Sequence, residues 1–230
     1  MAKRAANGSA QSPRRTDSLS RELIIQTAIE ILDSDGESAL TLRALTVRLK
    51  TGYGAIYHHV ADKGDLLAAA TDDVITRVLS GTATAAGPRD TLRLLAQGLF
   101  DAIHTHPWVG AELSRQPWRP ALLDFYESIG RLLDALAVPE RARFDAAGTL
   151  LNYVLGVAVQ NAANARHLIG RDADREAFLN TTAARWAQLD PARYPFVHAT
   201  VTQLREHDDR EQFLAGIDIF LAGIAALRQK

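Results

Sequence analysis

The sequence predicts an all-α fold of about ten helices: an N-terminal unit of three short helices, then a larger C-terminal helical bundle. Three observations predict it. Apolar residues recur at intervals of three and four through nearly every segment after Ser20. Pro107, Pro117, Pro120, Pro139, Pro191 and Pro195 fall at the joints between such segments, where a missing amide donor does least harm. No alternating run of useful length suggests a strand, and no internal repeat recurs at a fixed period.

Residues 1–17, rich in Ala, Ser, Gly and Arg, lack apolar periodicity and read as a flexible basic arm carrying Lys3, Arg4, Arg14 and Arg15. The next segment is a first helix: Ser20 can cap it, Ile24, Ala28, Ile31 and Leu32 share a face, and Asp35-Gly36 can end it. Thr41 caps a short second helix with Leu42, Leu45 and Leu49 inward. After the break at Lys50-Thr51-Gly52, a very short third helix runs over about 53–59 with Ile56 and Val60 inward. Asp62, followed by Asp65, opens a fourth helix over 62–79. The Gly-, Thr- and Ala-rich stretch 80–88 is the best boundary, giving units at 18–68 and 80–230 with residues 62–79 as connector. Further helices are expected at 89–106, 108–115, 119–137, 140–168, 173–188, 196–206 and 209–228.

A chain of 230 residues, 47% hydrophobic and 23% charged, buries enough surface to fold without disulfides or a structural metal. Its lack of cysteine excludes thiolate zinc sites and cysteine nucleophiles. No apolar run approaches the ~18–20 residues that span a bilayer, and no secretory leader is visible, so no membrane partner and a cytoplasmic location are expected. Net charge is −1, but residues 1–63 hold nine Lys/Arg against seven acids, which turns the positive side toward the N-terminal third.

Two short helices joined by a tight turn, supported before and after by longer ones, make a helix-turn-helix. A short helix fits the major groove while the one before it crosses the backbone and sets register. The run Thr41-Leu42-Arg43-Ala44-Leu45, then Leu49, Ala55-Ile56-Tyr57-His58-His59-Val60 and Asp62-Lys63-Gly64-Asp65-Leu66-Leu67 resembles the DNA-binding domain of the tetracycline-repressor (TetR) family over residues 20–68. The resemblance implies that Thr41 bonds a phosphate and that Arg43 reaches a base edge, such as guanine O6 and N7. It implies that Tyr53, Ala55 and His58 face bases, that Gly54 lets the backbone come close, and that Tyr57, His59 and Lys63 hold phosphates. The family's usual turn glycine is here Lys50, with Gly52 two positions later, so a turn built differently is expected. Packing of Tyr57 beneath the third helix is the alternative to its phosphate role. Adjacent His58 and His59 point about 100° apart on a helix and do not share one metal ion easily.

Residues 89–228 are similar to the same family's regulatory domain, through His106-Pro107-Trp108, Leu151-Asn152-Tyr153-Val154-Leu155-Gly156 and Phe213-Leu214-Ala215-Gly216-Ile217-Asp218. This implies a homodimer formed through residues 140–165 and 209–228. The stripes Leu150, Val154, Val157, Ala158 and Phe213, Ile217, Phe220, Leu221, Ile224 are candidates for both the dimer seam and the internal core. Two reading helices held about 34–36 Å apart would grip successive major grooves, and a ligand that changes this spacing would release the DNA. Candidate ligand contacts are His104, Trp108, Glu112, Trp118, Tyr126, Asn152, Gln160 and Asn164, polar or aromatic positions on helices otherwise rich in Ala, Leu and Val. Glu112 stands where the family's namesake has a metal-binding histidine, and Gln160 where it has an acid; a neutral amide suits a hard dication poorly. No metal or cofactor is expected, and the effector is expected to be small and hydrophobic.

The competing reading is an all-helical enzyme using His104 and His106 with Asp101 or Glu112 as acid and base. Two positions apart on a helix, His104 and His106 diverge by about 200°, and no nucleophile elbow, phosphate loop or zinc signature supports it. A purely structural helical module leaves Arg43, Tyr57 and Lys63 unexplained.

Overall fold

A computed structural model describes residues 19–82, 86–116, 119–167 and 172–227. Every regular element among them is a helix: α1 Arg21–Asp35, α2 Leu42–Leu49, α3 Tyr53–Tyr57, α4 Lys63–Gly81, α5 Pro88–Thr105, α6 Pro107–Arg115, α7 Pro120–Ala135, α8 Glu140–His167, α9 Asp172–Ala187, α10 Pro195–Ala199, α11 Val201–Arg205 and α12 Asp209–Leu227. The count of twelve exceeds the expected ten or so because 196–206 is two short helices. Thr200 breaks the run, its hydroxyl returning to the Phe196 and Val197 carbonyls. The basic arm lies outside the described residues.

The predicted starts hold at atomic level. Ser20 accepts from the Leu23 amide at 3.2 Å, Thr41 from Ala44 at 3.1 Å and Asp62 from Asp65 at 2.8 Å. Each cap satisfies a donor that the first helical turn would otherwise leave open. The Asp65 carboxylate accepts from the Ala61 amide, closing the entry to α4 from the other side.

Ile24, Ala28, Ile31 and Leu32 of α1 are buried together with Leu45, Ile56, Val60, Leu66 and Leu67. α3 is shorter than expected, ending at Tyr57, yet Ile56 and Val60 point inward as the pattern requires. The turn at Lys50 keeps the left-handed geometry that glycine usually supplies: Lys50 has φ 50° and ψ 45°. The expectation of a differently built turn is therefore corrected. Two backbone amides pin it, that of Lys50 donating to the Thr46 and Val47 carbonyls and that of Thr51 to the Thr46 carbonyl, and they offset a strain of ~1 kcal/mol. Ala137 closes α7 in the same way, at φ 56°.

α4 packs on α1 at one end and on α5, α6 and α7 along its length. Its Leu66, Leu67 and Ala70 join the N-terminal helices, while Val74 and Ile75 continue into one core that runs to Ile224. α8 lies against α5, α6, α7 and α12. The rings of Tyr153, Phe213 and Phe100 stack nearly parallel across α8, α12 and α5, with centroids 5.5 and 4.3 Å apart. Tyr153 Oη donates to the Phe213 carbonyl, and burial raises its hydroxyl pKa. Gly216 lies directly under that ring, where a Cβ would collide with the phenol.

The stripes proposed for both seam and core resolve toward the core. Leu150, Val154, Ala158, Phe213, Ile217, Leu221 and Ile224 are buried within one chain, and Val157 and Phe220 are partly so. The outward face is different: Asn152, Gly156, Gln160 and Asn164 every fourth residue on α8, with Ala215, Ile219, Ala222 and Ala226 on α12. Ile219 is 73% exposed there.

Replacing either left-handed residue with glycine removes the Cβ clash but adds backbone entropy to the unfolded chain. Ala137→Gly and Lys50→Gly are expected to raise stability by up to about 1 kcal/mol in urea melts. A fall in either midpoint contradicts the strain assigned here.

Candidate nucleic-acid interface

α2 and α3 together form the exposed end of the N-terminal helices. Thr41 Oγ1 accepts from the Ala44 amide as the α2 cap, so its own hydroxyl hydrogen can still be donated outward. Arg43, two residues on, is exposed and in no ion pair with a described residue. On α3, Tyr53, Gly54, Ala55 and Tyr57 are exposed, the two tyrosines at 50% and 54%. Four residues apart, these tyrosines share one side of the helix. The alternative of Tyr57 packed beneath α3 does not occur. Apart from its chain neighbours and its own helix backbone, no heavy atom of the described residues stands within 4 Å of where a Gly54 Cβ would lie, so the backbone is open to close approach. His58 is exposed and His59 half-buried, their rings meeting edge to face at 5.4 Å.

Lys63 opens α4 on the same exposed end. Its Nζ donates to the Glu37 carbonyl at 2.6 Å, tethering the ammonium to the α1–α2 turn. The nine residues assigned to DNA thus fall on the cap and body of α2, on α3, on the following turn and at the start of α4.

Behind this surface, α6 grips the end of α1 through carboxylates. Asp33 Oδ1 accepts from Trp108 Nε1 and from His106 Nδ1, both at 2.8 Å. Because a carboxylate only accepts, that pairing places the histidine proton on Nδ1. The Glu37 carboxylate takes a two-pronged contact from Arg115, at 3.1 and 2.9 Å. Arg115 also pairs with Glu112 at 3.0 Å, Glu112 with Arg119 at 3.4 Å, and Arg119 with Asp72 of α4 at 3.1 and 3.0 Å. Acids and bases alternate from the middle of α4 to the α1–α2 turn. Glu112 and Arg119 are nearly inaccessible, and burying such charges is tolerable only with partners in place. Hydrogen bonding from Arg115 holds the Glu37 carboxyl below its ordinary value of 4.5, and the same contact raises the arginine.

The residues nominated for a ligand do not converge. Trp108 and Glu112 are buried, but their polar atoms serve Asp33, Arg115 and Arg119. Asn152, Gln160 and Asn164 lie on the outward stripe of α8, which is the wrong side for an enclosed pocket. His104 is exposed, its ring parallel to Phe100 at 6.5 Å. Tyr126 is half-buried on α7, and Trp118 lies outside the described residues. Sequence reasoning missed Asp33, Glu37, Asp72, Arg115 and Arg119. The only prior hint was the pair of arginines around Pro117.

Residues 84–228 match the family model described as "Tetracyclin repressor-like, C-terminal domain". The chain belongs to the tetracycline-repressor family. It is 30% identical over 172 residues to an HTH-type transcriptional regulator of Saccharopolyspora erythraea, covering 69% of this chain and 73% of that protein. It is 26% identical to the HTH-type transcriptional repressor DrrR1 of Streptomyces coeruleorubidus, over 94% of this chain and 80% of the repressor. Among solved structures, the Streptomyces coelicolor regulator SCO7222 superposes with a TM-score of 0.82 at 48% identity, covering 92% of this chain and all of that one. ActR of the same species, in complex with actinorhodin, shares the fold at a TM-score of 0.72 and 21% identity, over 93% of this chain and all of that one. The chain is therefore a transcriptional regulator of the DNA-binding, all-α type. Among the described residues, no helix is long and apolar enough to cross a membrane.

The Glu37 carboxyl titrates lower when folded, so its stabilisation is fully present above 4.5 and is lost as pH falls through the lower folded value. The wild-type melting midpoint is expected to drop more steeply on acidification below pH 4.5 than that of Glu37→Gln. Parallel curves would show that the Arg115 contact contributes nothing to stability.

Proposed function

We propose that the chain is a homodimeric repressor, released from a palindromic operator by a small hydrophobic ligand. The observation that carries the reading is the exposed surface of Thr41, Arg43, Tyr53, Gly54, Ala55, Tyr57 and His58 on two short helices whose inner residues Leu45 and Ile56 are buried. Thr41, Tyr57, His59 and Lys63 hold phosphates, while Arg43, Tyr53, Ala55 and His58 face bases. In this reading residues 18–68 form the DNA-binding domain and 62–79 the connector. Residues 80–230 bind the ligand and the second protomer.

Dimerisation runs through 140–165 and 209–228, on the outward stripes rather than on the buried ones. Small Gly156, Ala215, Ala222 and Ala226 let helices approach closely, and exposed Ile219 gains from being covered. Ligand binding belongs to the bundle of α5–α8. Of the nominated residues, Tyr126 suits it best, because its hydroxyl is unpaired among the described residues. The complex of ActR with actinorhodin supports a small-molecule effector by analogy of fold. The enzyme reading loses His106 to Asp33, and no observation favours it.

In gel shifts with the intergenic DNA flanking the gene, Arg43→Ala is expected to cost about 1–3 kcal/mol on specific duplex and much less on random duplex. Equal losses on both would remove Arg43 from base reading. Separately, Ile219→Glu is expected to convert the dimer to a monomer in analytical ultracentrifugation and abolish specific binding. A dimer that persists would move the seam elsewhere.

A further inference from the structure

Glu37 receives two cations, and they take different atoms. Lys63, from the first turn of α4, holds only the main-chain carbonyl at 2.6 Å. Arg115, from the last turn of α6, occupies both carboxylate oxygens. Arg115 is itself held from behind by Glu112, which Arg119 and Asp72 secure in turn. An ion pair this exposed contributes little to stability. Its larger effect is on charge: the carboxylate of the residue whose carbonyl Lys63 holds is already paired.

We infer that Arg115 is a positioning residue for DNA binding: by engaging the Glu37 carboxylate, it leaves Lys63 only a neutral carbonyl to hold and keeps the ammonium free for a phosphate. The inference rests on the reading of Lys63 as a phosphate contact. With Arg115 withdrawn, Glu37 presents a bare carboxylate within electrostatic reach of Lys63, whose field already helps hold that carboxyl ionised. The ammonium then turns inward to a charge-assisted bond and leaves the DNA. The chain of pairs running back to Asp72 makes the position of α6 the variable that sets this competition, so a ligand that shifts α6 weakens the grip on phosphate.

The two halves of the pair are expected to behave oppositely, which a simple clamp between helices would not do. With a labelled duplex selected by the full-length wild-type protein from a random pool, Arg115→Gln is expected to weaken binding about tenfold and to lower the salt slope by about one per protomer. Glu37→Gln is expected to bind like wild type, and the double variant Glu37→Gln with Arg115→Gln to recover wild-type affinity and slope. Lys63→Gln is expected to match Arg115→Gln, with no further loss when the two are combined. Wild-type binding by Arg115→Gln, or equal weakness of Glu37→Gln and the double variant, would overturn the inference. So would an unchanged salt slope in Lys63→Gln, while leaving the repressor reading intact. Failure of the wild-type protein to select any duplex would instead sink the repressor reading and this inference with it. Should Arg115→Gln fail to fold by circular dichroism, Glu37→Gln and Lys63→Gln still decide: a weak Glu37→Gln refutes the inference, and a wild-type-like one beside a weak Lys63→Gln upholds it.

Discussion

Everything in this protein depends on α4 being shared, through its buried middle turns, between the N-terminal helices and the bundle. Its first turns close the core beneath α2 and α3 through Leu66, Leu67 and Ala70, and its later turns lie among α5, α6 and α7 through Val74 and Ile75. The N-terminal helices are too small to be held firmly by their own apolar area. Sharing one helix gives them a core that continues to the far end of the molecule. It also means that the reading surface and the bundle cannot be repacked independently.

Polar contacts add direction to that shared core. Apolar packing resists separation but specifies orientation weakly, whereas the bonds of Asp33 to His106 and Trp108 and of Glu37 to Arg115 fix α6 against the end of α1 at particular atoms. They join elements more than seventy residues apart. A small rotation of α6 must break or carry them, so the charges translate a movement in the bundle into one at the α1–α2 turn.

Much of this was legible in the sequence, and its limits follow from the same physics. Caps are local: Ser20, Thr41 and Asp62 could be named because each serves an amide three residues away. Inward positions such as Ile56 and Val60 follow from helical period alone. The αL conformation of Lys50 was hidden because its own preference points the other way and the bonds of two backbone amides overrule it. The split at Thr200 was hidden because apolar spacing continues through it. Trp108 and Glu112 stand out in a stretch otherwise rich in small and aliphatic residues, yet their partners are chosen by tertiary structure, which periodicity does not encode. The apolar stripes of α8 and α12 could not be divided between core and seam for the same reason, and the outward face proved to be the one with the smaller side chains.

The glycine beneath the Tyr153 ring has a mechanical corollary. With that phenol seated against bare backbone and bonded to the Phe213 carbonyl, sliding α12 by one residue in either direction would drive a methyl or larger group into an aromatic plane. The two long helices are therefore keyed like a shaft to its hub: free to turn together, barred from creeping past each other.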